Sequence, residues 1–359
     1  MTAPVHIALV EIAGSHDECL YTQVRALTDS NCRLFWVTST AMKERNPHLV
    51  PYFTDIFLVD TVSKPLTDLR KMKGIVRYLQ DKKVEKVVFN TAQGGHVRNL
   101  ALLMPKHIVC YGLIHTLRKF QDSFTQKVIH RMIKKYVVLS DDLLAKVKPI
   151  TGIEVSSFYP IDFPHYEGEF SKNGVLVTLT GGVENRRKDL KSFIEMCSNS
   201  PAEVHFVFLG KSDMKREDVK VFVDELEKRG LRDRVTLFPE FVDQATFDAV
   251  LKRTDFLLPL IHPNTPSSEE YIHHQISGAF TLAFAYRIPL LIHEVYRGEK
   301  DLGEAGFFYI PAQFGEILTH AISQRSDVVK KVASNSKWDL AKQHAKFREF
   351  VEIEGKSIS

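Results

Sequence analysis

A glycine pair followed by three consecutive cations is the most informative chemical pattern in the sequence. Gly181 and Gly182 end an apolar run, and glycine lets the backbone come close to a ligand. Arg186, Arg187 and Lys188 follow at an expected helix start, where backbone N–H groups, the helix dipole and fixed cations together suit a diphosphate. A solvated basic turn is the alternative interpretation. The spacing GxGxxG does not occur in the chain, so the sequence does not support a dinucleotide fingerprint.

A polar loop in the second half leads into an apolar segment that we expect to be a helix. The loop holds Glu269, Glu270 and two adjacent histidines, and the apolar segment begins at Ser277 and Gly278. Serine is a good N-cap, and a glycine at a helix start lets a ligand approach the helix end. The two histidines face different directions because they are adjacent in the sequence, so we expect no metal site there.

The end of the first predicted strand carries a second candidate site. Gly14, Ser15 and His16 follow this strand and lead into a predicted helix. His16 has a suitable unperturbed pKa for a general base, and in a reaction that needs no base it would contact an acceptor or a phosphate. A cluster that only caps the helix is the alternative interpretation.

Short apolar runs alternate with helix-like segments along the whole chain. The runs are rich in β-branched and aromatic residues, as buried parallel strands are, and parallel pairing requires helical crossovers. We therefore predict an α/β protein with doubly wound sheets. The predicted strands are 6–11, 32–38, 55–60, 86–90, 107–113, 136–140, 175–180, 204–210, 234–238, 255–260, 289–293 and 306–310. The clearest predicted helices are 66–82, 215–229, 243–253 and 277–286.

The alternation stops between residues 152 and 174, where two prolines and three glycines stand. We interpret this stretch as a last strand followed by a linker. A chain of 359 residues is expected to form two domains, since single cores stop growing beyond roughly 250–300 residues. The sequence thus predicts two Rossmann-like domains, residues 1–165 and 166–335, which face each other across a cleft and are followed by a C-terminal segment, 336–359.

Composition and charge limit the class of protein. The net charge of +4 is uneven: residues 1–165 hold 22 Lys and Arg against 15 Asp and Glu, and the rest holds 26 against 29. This suits an anionic partner on the N-terminal side and falls short of a nucleic-acid-binding composition. The sequence has neither a membrane-length apolar run nor, at its start, the basic region of a signal peptide, so we expect a cytoplasmic protein. Its four cysteines are scattered without a CxxC pair and suit buried positions.

The segment from Leu117 to Lys135 is basic and amphipathic. It has seven basic or histidine positions against one acid, with apolar residues between them. Such a segment can lie on an anionic membrane leaflet, which would make a lipid-linked acceptor plausible and place the protein peripherally at the inner face of the membrane. An ordinary helix with its apolar face in the core is the alternative.

Taken in order, these segments resemble the GT-B glycosyltransferases, particularly the retaining family-4-like group. The resemblance in the second half rests on Gly181 with Arg187 and Lys188, on the runs 234–238 and 255–259, and on an acidic loop leading to a helix that ends before Pro289. In the first half it rests on His115 after a strand and on the run 136–140. Near the chain end, 336–338 (SKW) resembles the opening of the final helix, which in this architecture crosses back to the first domain.

The resemblance implies roles for several residues. Arg187 and Lys188 would stabilise the leaving diphosphate beside the helix start at Ser277 and Gly278, and His115 would lie on the acceptor side with His16. The nucleobase would lie against the turn formed by Phe238, Glu240, Phe241 and Val242. Glu269 or Glu270 would hold sugar or ribose hydroxyls. One departure is Leu282, which stands where the family has a second glutamate, usually a ribose ligand.

The implied activity is transfer of a sugar from a UDP- or GDP-sugar to a glycan or lipid-linked acceptor. The resemblance favours a retaining, metal-independent reaction without a cofactor, in the assembly of surface polysaccharide or glycolipid. Two alternatives use the same architecture: a pseudo-enzyme that binds nucleotide sugars without turnover, and a sugar-nucleotide epimerase, which needs no acceptor. We expect no nucleic-acid partner.

Overall fold

The computed structural model describes residues 3–60 and 65–355. The chain divides into two units, Met1–Pro164 with Asp339–Ser359 (unit 1) and His165–Trp338 (unit 2). Residues 1–2 of the expected start and 356–359 of the expected C-terminal segment lie outside the described residues.

Unit 1 is built on a parallel sheet that, within the described residues, has seven strands. The strands are β1 (Val5–Glu11), β2 (Cys32–Thr38), β3 (Asp55–Leu58), β4 (Lys86–Phe89), β5 (Val109–Ile114), β6 (Lys135–Val138) and β7 (Glu154–Ser157), in the order β3-β2-β1-β4-β5-β6-β7. The helices are α1 (Leu20–Thr28), α2 (Thr40–Arg45), α3 (Pro65–Asp81), α4 (Gly95–Ala101), α5 (Phe124–Met132) and α6 (Asp141–Lys146). The order reverses between β1 and β4, where a doubly wound sheet binds ligands beyond its strand ends.

Unit 2 repeats the arrangement with a six-stranded parallel sheet in the described residues. The strands are β8 (Val175–Thr180), β9 (Val204–Lys211), β10 (Val235–Phe238), β11 (Phe256–Leu257), β12 (Leu290–His293) and β13 (Gly306–Tyr309), in the order β10-β9-β8-β11-β12-β13. The helices are α7 (Leu190–Ser198), α8 (Glu217–Lys228), α9 (Gln244–Arg253), α10 (Gly278–Tyr286), α11 (Lys300–Ala305) and α12 (Phe314–Ser334). The order reverses between β8 and β11, where the two glycines end β8.

The core of unit 2 forms where the apolar faces of α7 and α8 cover the sheet. The Phe193 ring lies 5.0–5.8 Å from the rings of Phe206, Phe208 and Phe222, in edge-to-face arrangements. Such ring pairs add about 0.5–1.5 kcal/mol each beyond the burial of their surface. The cluster therefore fixes α7, and with it the loop that precedes α7, against the strands.

The C-terminal helix α13 (Leu340–Phe350) belongs to unit 1, as the sequence predicted. It packs on α1, and the Gln343 side chain accepts a hydrogen bond from the Tyr159 backbone N–H (3.0 Å). Residues just before it stay with unit 2, because the Trp338 ring stacks on Phe284 (4.4 Å) and Lys337 forms an ion pair with the buried Asp301 (2.5 Å). The boundary therefore lies after Trp338, three residues beyond the expected one.

Two predicted elements are shorter than expected. The run 255–260 forms a ladder only at β11, since Pro259 has no N–H to donate and Leu260 turns the chain with a φ of 57°. In the segment 117–135 only α5 and the start of β6 are regular, and Phe120 and Ile129 are buried in the core. Phe124 is 75% exposed, and it is the large apolar side chain that this segment offers to a surface. Within the described residues, no helix combines the length and apolar composition needed to cross a membrane.

Candidate functional site

The loop between β8 and α7 brings the glycines and the cations together. β8 ends at Thr180, and Gly181 follows with a φ of 84°, a left-handed conformation that favours glycine. The backbone N–H groups of Arg187 and Lys188 both donate to the Glu184 carbonyl (3.3 and 3.1 Å), which closes a turn before α7. The turn returns the cations to the carboxyl edge of the sheet.

Gly210 supports this loop from the neighbouring strand, a role that the sequence analysis missed. A Cβ at position 210 would lie 2.4 Å from the Gly181 carbonyl carbon and 2.5 Å from its oxygen. Position 210 therefore requires glycine, so that the end of β9 can pack against the backbone of Gly181. A glycine at the end of a predicted strand was the signal that the sequence offered.

Lys188 is the most unusual cation of the loop. It is only 4% exposed, and in the described part of the chain its ammonium group makes one hydrogen bond, to the Thr180 carbonyl oxygen (2.9 Å). Burial, and then the charge of Arg187, lowers the pKa of Lys188 to about 8. An ammonium group has three donors, so the remaining ones can serve an anion bound at this edge.

The arginines surround a carboxylate. Glu184 lies 2.9 Å from Arg187 Nε, 3.4 Å from Arg186 Nη2 and 4.0 Å from Arg216 Nη1. The side chains of Arg186 and Arg187 are about half exposed (53% and 49%). Glu184 thus orients both guanidinium groups and leaves part of each accessible to solvent.

The helix start predicted at Ser277 and Gly278 is present. Ser277 caps α10 by accepting a hydrogen bond from the Ala279 N–H (3.4 Å), and a Cβ at Gly278 would meet nothing within 4 Å. Leu282 is buried in α10, so its side chain belongs to the core. Glu269 is largely exposed near His273 (3.7 Å), and Glu270 begins a π-helical turn, Glu270–His274. The Ser267 N–H donates to the Arg186 carbonyl (3.0 Å), and this bond joins the loop after β11 to the loop before α7.

The turn after β10 presents an aromatic face. Phe238 ends β10 half-buried, Val242 is also half-buried, and Phe241 is 86% exposed. The Lys211 ammonium lies 5.6 Å from the centre of the Phe241 ring and 3.4 Å from the Glu240 carboxylate. A flat ligand can stack on this ring at little cost, since the ring already faces solvent.

The first-strand loop of unit 1 brings His16 and His115 into contact. Their rings stack at 3.7 Å with an angle of 10°, and His16 Nδ1 lies 3.2 Å from Glu18 Oε1. His16 has a φ of 64°, a left-handed conformation that is strained for a residue other than glycine. Such strain persists where the surroundings hold a side chain in one place, and these contacts place His16 beyond the end of β1.

The charges around the two rings differ. Burial lowers the pKa of His16, but the hydrogen bond and charge of Glu18 and the charges of Glu11 and Asp17 outweigh it, so the net pKa shift is upward. Burial, and then the charge of His16, lowers the pKa of His115 to about 3. His115 is therefore neutral, and its Nε2–H donates to the Asn90 carbonyl (2.6 Å). His16 therefore keeps its proton to higher pH than an unperturbed histidine, whereas His115 does not.

His16, Glu18 and His115 also form a group that could hold a metal ion, which the sequence analysis did not foresee. One potential ligand atom from each lies within 4.8 Å of the others. However, an ion bound by imidazole nitrogens lies in the plane of each ring, and two rings stacked 3.7 Å apart in near-parallel planes cannot meet this condition together. The arrangement fits a stacked pair with a carboxylate partner better than a metal centre.

A buried carboxylate lies beneath these histidines. Glu11 ends β1 and accepts hydrogen bonds from the side chains of Asn90 (2.8 Å) and Thr91 (2.6 Å). Burial raises the pKa of Glu11 more than these bonds lower it. Asn90 also donates to the His16 carbonyl (2.9 Å), so the network holds the loop. A glutamate that ends an apolar strand was a signal that the sequence analysis did not use.

The remaining residues of this loop lie on its outer side. Gly14 has a φ of 77°, and its carbonyl accepts a hydrogen bond from Arg45 (3.0 Å). Ser15 is exposed. Arg45 also approaches Asp17 (3.5 Å), so the loop is fixed on both sides of His16.

Comparison with known proteins supports the fold at low sequence identity. No family model and no curated protein matches the sequence. A glycosyltransferase from Rickettsia africae matches with a TM-score of 0.67 and 11% identity, over 98% of this chain and 100% of that one. HepE from Anabaena, solved with UDP-glucose, matches with a TM-score of 0.66 and 12% identity over 97% and 99%. A UDP-N-acetylglucosamine 2-epimerase matches with a TM-score of 0.65 and 12% identity over 97% and 95%.

These matches cover both units and nearly the whole length of each chain. The two parallel sheets and the C-terminal helix in unit 1 form the GT-B fold. The predicted fold class is therefore confirmed. At 11–12% identity the likeness establishes the fold alone.

Proposed function

We propose that the protein is a glycosyltransferase that moves a sugar from a nucleoside diphosphate sugar to an acceptor hydroxyl. The observation that carries this proposal is the buried Lys188 ammonium at the carboxyl edge of β8, with spare donors beside a glycine loop and a helix start. A fixed cation at the point where a doubly wound sheet reverses suits a phosphate group. The GT-B fold supports the assignment, since HepE has this fold and is solved with UDP-glucose.

The chemistry follows from where charge develops. When the bond between the sugar and the diphosphate breaks, negative charge grows on the leaving diphosphate, and fixed cations stabilise this charge without reorganisation. Lys188 and Arg187 would provide this stabilisation together with the α10 start at Ser277 and Gly278. Loss of one such group costs on the order of 2–4 kcal/mol of transition-state stabilisation. This role makes a bound metal unnecessary, and we propose a metal-independent reaction without a cofactor.

The donor would lie along unit 2. Phe241 offers its ring to the nucleobase, with Phe238, Glu240 and Val242 forming the rest of the turn. Glu269 or Glu270 would bind sugar or ribose hydroxyls, since a leucine occupies position 282, where the family has a second glutamate. Gly181 and Gly182 let the diphosphate approach the backbone. A UDP-sugar is the first donor to test and a GDP-sugar the second.

The acceptor would lie on unit 1, near Gly14, Ser15 and His16. We propose retention of configuration, on the resemblance to the family-4-like group. In a retaining reaction His16, whose pKa is raised, would bind the acceptor or a phosphate as a cation. If the product is inverted, His16 oriented by Glu18 would serve as the general base.

We propose a glycan or lipid-linked acceptor and a role in surface polysaccharide assembly, in the cytoplasm. The basic residues between Leu117 and Lys135, with the exposed Phe124, would then contact an anionic leaflet. Most apolar side chains of this segment lie in the core, so the contact would be mainly electrostatic.

An epimerase is the second candidate, because a UDP-N-acetylglucosamine 2-epimerase matches the fold nearly as well as the transferases. An epimerase converts one nucleotide sugar into another without an acceptor, whereas a transferase moves the sugar to the acceptor and releases the nucleoside diphosphate. A binding protein without turnover would produce neither change. The products therefore separate the three functions.

A nucleotide screen followed by product analysis tests the proposal. Thermal shifts would be measured with UDP, GDP, ADP, CMP and their sugars, with and without EDTA, for the wild type and Arg187→Ala. A ligand at 100 times its dissociation constant stabilises by roughly 2.7 kcal/mol, a clear shift. We expect one nucleotide to stabilise the wild type with EDTA present and to lose its effect in the variant. The stabilising sugar nucleotide would then be incubated with water or glycan acceptors and the products identified by NMR. Absence of any shift would contradict the proposal.

A further inference from the structure

Two buried side chains, His262 and Tyr309, and the partly buried Asp189 form a hydrogen-bonded chain behind residues 184–189, which we call the cation segment. His262 Nδ1 lies 2.9 Å from Asp189 Oδ2, and His262 Nε2 lies 2.8 Å from the Tyr309 hydroxyl. His262 is 1% exposed and Tyr309 is 2% exposed. The chain joins the start of α7 to the loop after β11 and to the end of β13. It lies at the same sheet edge as Lys188.

The hydrogen bonds define which atoms pair in this chain. Burial raises the pKa of Asp189, but the bonds from His262 and Ser192 outweigh it and lower the pKa overall. An ionised carboxylate only accepts, so His262 Nδ1–H donates to Asp189. His262 Nε2 pairs with the Tyr309 hydroxyl, which stays protonated because burial raises its pKa. Each group has its partner, and the orientation of the His262 ring is fixed.

Asp189 connects the fixed His262 ring to the segment that carries the cations. Its Oδ1 accepts from the Ser192 N–H (3.0 Å) and caps α7, and its own N–H donates to the Leu260 carbonyl (3.2 Å). Lys188 is the adjacent residue. At the other end of the cation segment, the Arg186 carbonyl accepts from the Ser267 N–H (3.0 Å) and Arg186 Nη1 approaches Ser267 Oγ (3.3 Å). Arg187 and Lys188 therefore lie between two attachments to one loop, 260–268.

Stability alone does not explain a polar chain at this position. Replacing buried polar groups by apolar ones of similar volume is often neutral or stabilising, whereas a hydrogen-bonded chain specifies one orientation. The loop also contains Leu260 with a φ of 57°, a left-handed conformation that is costly for a residue other than glycine. This conformation directs the Leu260 carbonyl to Asp189. The strained Leu260 and the polar chain from Tyr309 to Asp189 thus both support the attachment of Asp189 to the loop 260–268.

We propose that His262 is a positioning residue. With Asp189 and Tyr309 it holds Arg187 and Lys188 in the conformation that receives the diphosphate of a nucleotide sugar. The inference rests on the proposed function for its ligand, and on the contacts of the free protein for its geometry.

The first arm of the test uses the protein without ligand. Backbone hydrogen exchange of residues 184–192 would be compared in the wild type, His262→Leu and His262→Asn. The amide nitrogen of asparagine can replace Nδ1 as the donor to Asp189, whereas leucine cannot. We expect exchange in this segment to accelerate on the order of tenfold in His262→Leu and to stay close to wild type in His262→Asn.

His205, on β9 of the six-stranded sheet in unit 2, provides a matched control. Its Nε2 lies 2.8 Å from Thr236 Oγ1, and it has no bond to the cation segment within the described residues. His205→Leu therefore removes a histidine hydrogen bond from unit 2 without touching Asp189. We expect it to leave exchange at 184–192 unchanged. Should His262→Leu fail to fold, Tyr309→Phe removes only the hydroxyl and should give a smaller increase of the same kind.

The second arm measures affinity for inorganic pyrophosphate and UDP by calorimetry. We expect His262→Leu to weaken both on the order of tenfold, and His262→Asn and His205→Leu to bind within about threefold of the wild type. Unchanged exchange in His262→Leu would overturn the inference, as would faster exchange with unchanged affinity. If the wild type binds neither probe, the proposed function fails, and the exchange arm alone decides whether His262 positions the segment.

Discussion

Lys188 Nζ donates to the Thr180 carbonyl oxygen at 2.9 Å, inside unit 2 and beside a glycine loop. Burial, followed by the charge of Arg187, lowers the pKa of this lysine to about 8 from 10.5. The group is therefore charged at neutral pH but close to losing its proton. An anion that binds beside it favours the charged form, so binding and protonation are linked.

The first prediction concerns pH. UDP affinity should weaken on the order of tenfold between pH 7 and pH 9, because Lys188 loses its charge as pH rises through about 8. Because the folded-state pKa lies below the unfolded one, the unfolded state binds more protons between about 8 and 10.5, and this group makes stability rise with pH in that window. Calorimetry across this range measures the affinity.

Lys188→Arg is the control for this pH dependence, since guanidinium stays charged throughout. We expect the UDP affinity of this variant to change much less between pH 7 and pH 9 than that of the wild type. The same slope in both proteins would assign the pH dependence to another group, such as the nucleotide itself.

A second prediction concerns His16 and Glu18. His16→Gln should lower glycosyl transfer at least tenfold, because it removes the base or cation that Glu18 and His115 hold in place. Glu18→Gln removes a charge that raises the pKa of His16, so the pH limb of transfer should move to lower pH. Rates that rise with pH through this limb indicate a base, and rates that fall indicate a cationic donor. A limb that does not move would remove His16 from the reaction.

A third prediction concerns the exposed ring after β10. Phe241→Ala should weaken UDP on the order of tenfold and leave pyrophosphate unaffected, because stacking on the base is lost while the phosphate contacts remain. The melting temperature should not change, since the ring is 86% exposed. Phe124→Ala in unit 1, also an exposed phenylalanine, is the control and should bind both ligands normally. Equal loss of UDP and pyrophosphate in Phe241→Ala would place the base elsewhere.

A fourth prediction concerns close backbone packing. Gly210→Ala should destabilise the protein by roughly 1–3 kcal/mol and weaken nucleotide binding, because the new methyl group would meet the Gly181 backbone at 2.4 Å. Gly298→Ala is the matched control, since a Cβ there meets nothing within 4 Å. Thermal denaturation of both variants checks this. Equal melting temperatures for the two would show that β8 and β9 tolerate separation at this point.

The sequence predicted the alternating strands and helices well, because strands buried on both faces are continuous apolar runs. The cap at Ser277 was also predicted, because capping depends on local sequence. The end of β11 was not, since the predicted run continued through Pro259 to Leu260, where the chain turns.

Apart from the family resemblance, the sequence grouped only candidate residues that are neighbours in the chain. Gly181 and Lys188 belong to one local pattern, whereas His262 reaches Asp189 across 73 residues and Tyr309 across 47. Such pairs depend on which strand ends meet, which periodicity does not encode. The environments of the two adjacent cations also follow from the tertiary fold. Lys188 is buried with one hydrogen bond in the described residues, whereas Arg187 is half exposed beside Glu184.

The most direct measurement is UDP binding by calorimetry to the wild type, Lys188→Met and Lys191→Met. Lys191 is exposed on α7, three residues away, and serves as the control for loss of a positive charge. We expect Lys188→Met to lose UDP affinity by at least tenfold while its melting temperature stays the same or rises, because an uncompensated buried charge is removed. Lys191→Met should bind UDP like the wild type. Wild-type affinity in Lys188→Met, or equal losses in both variants, would contradict the assignment of the diphosphate site.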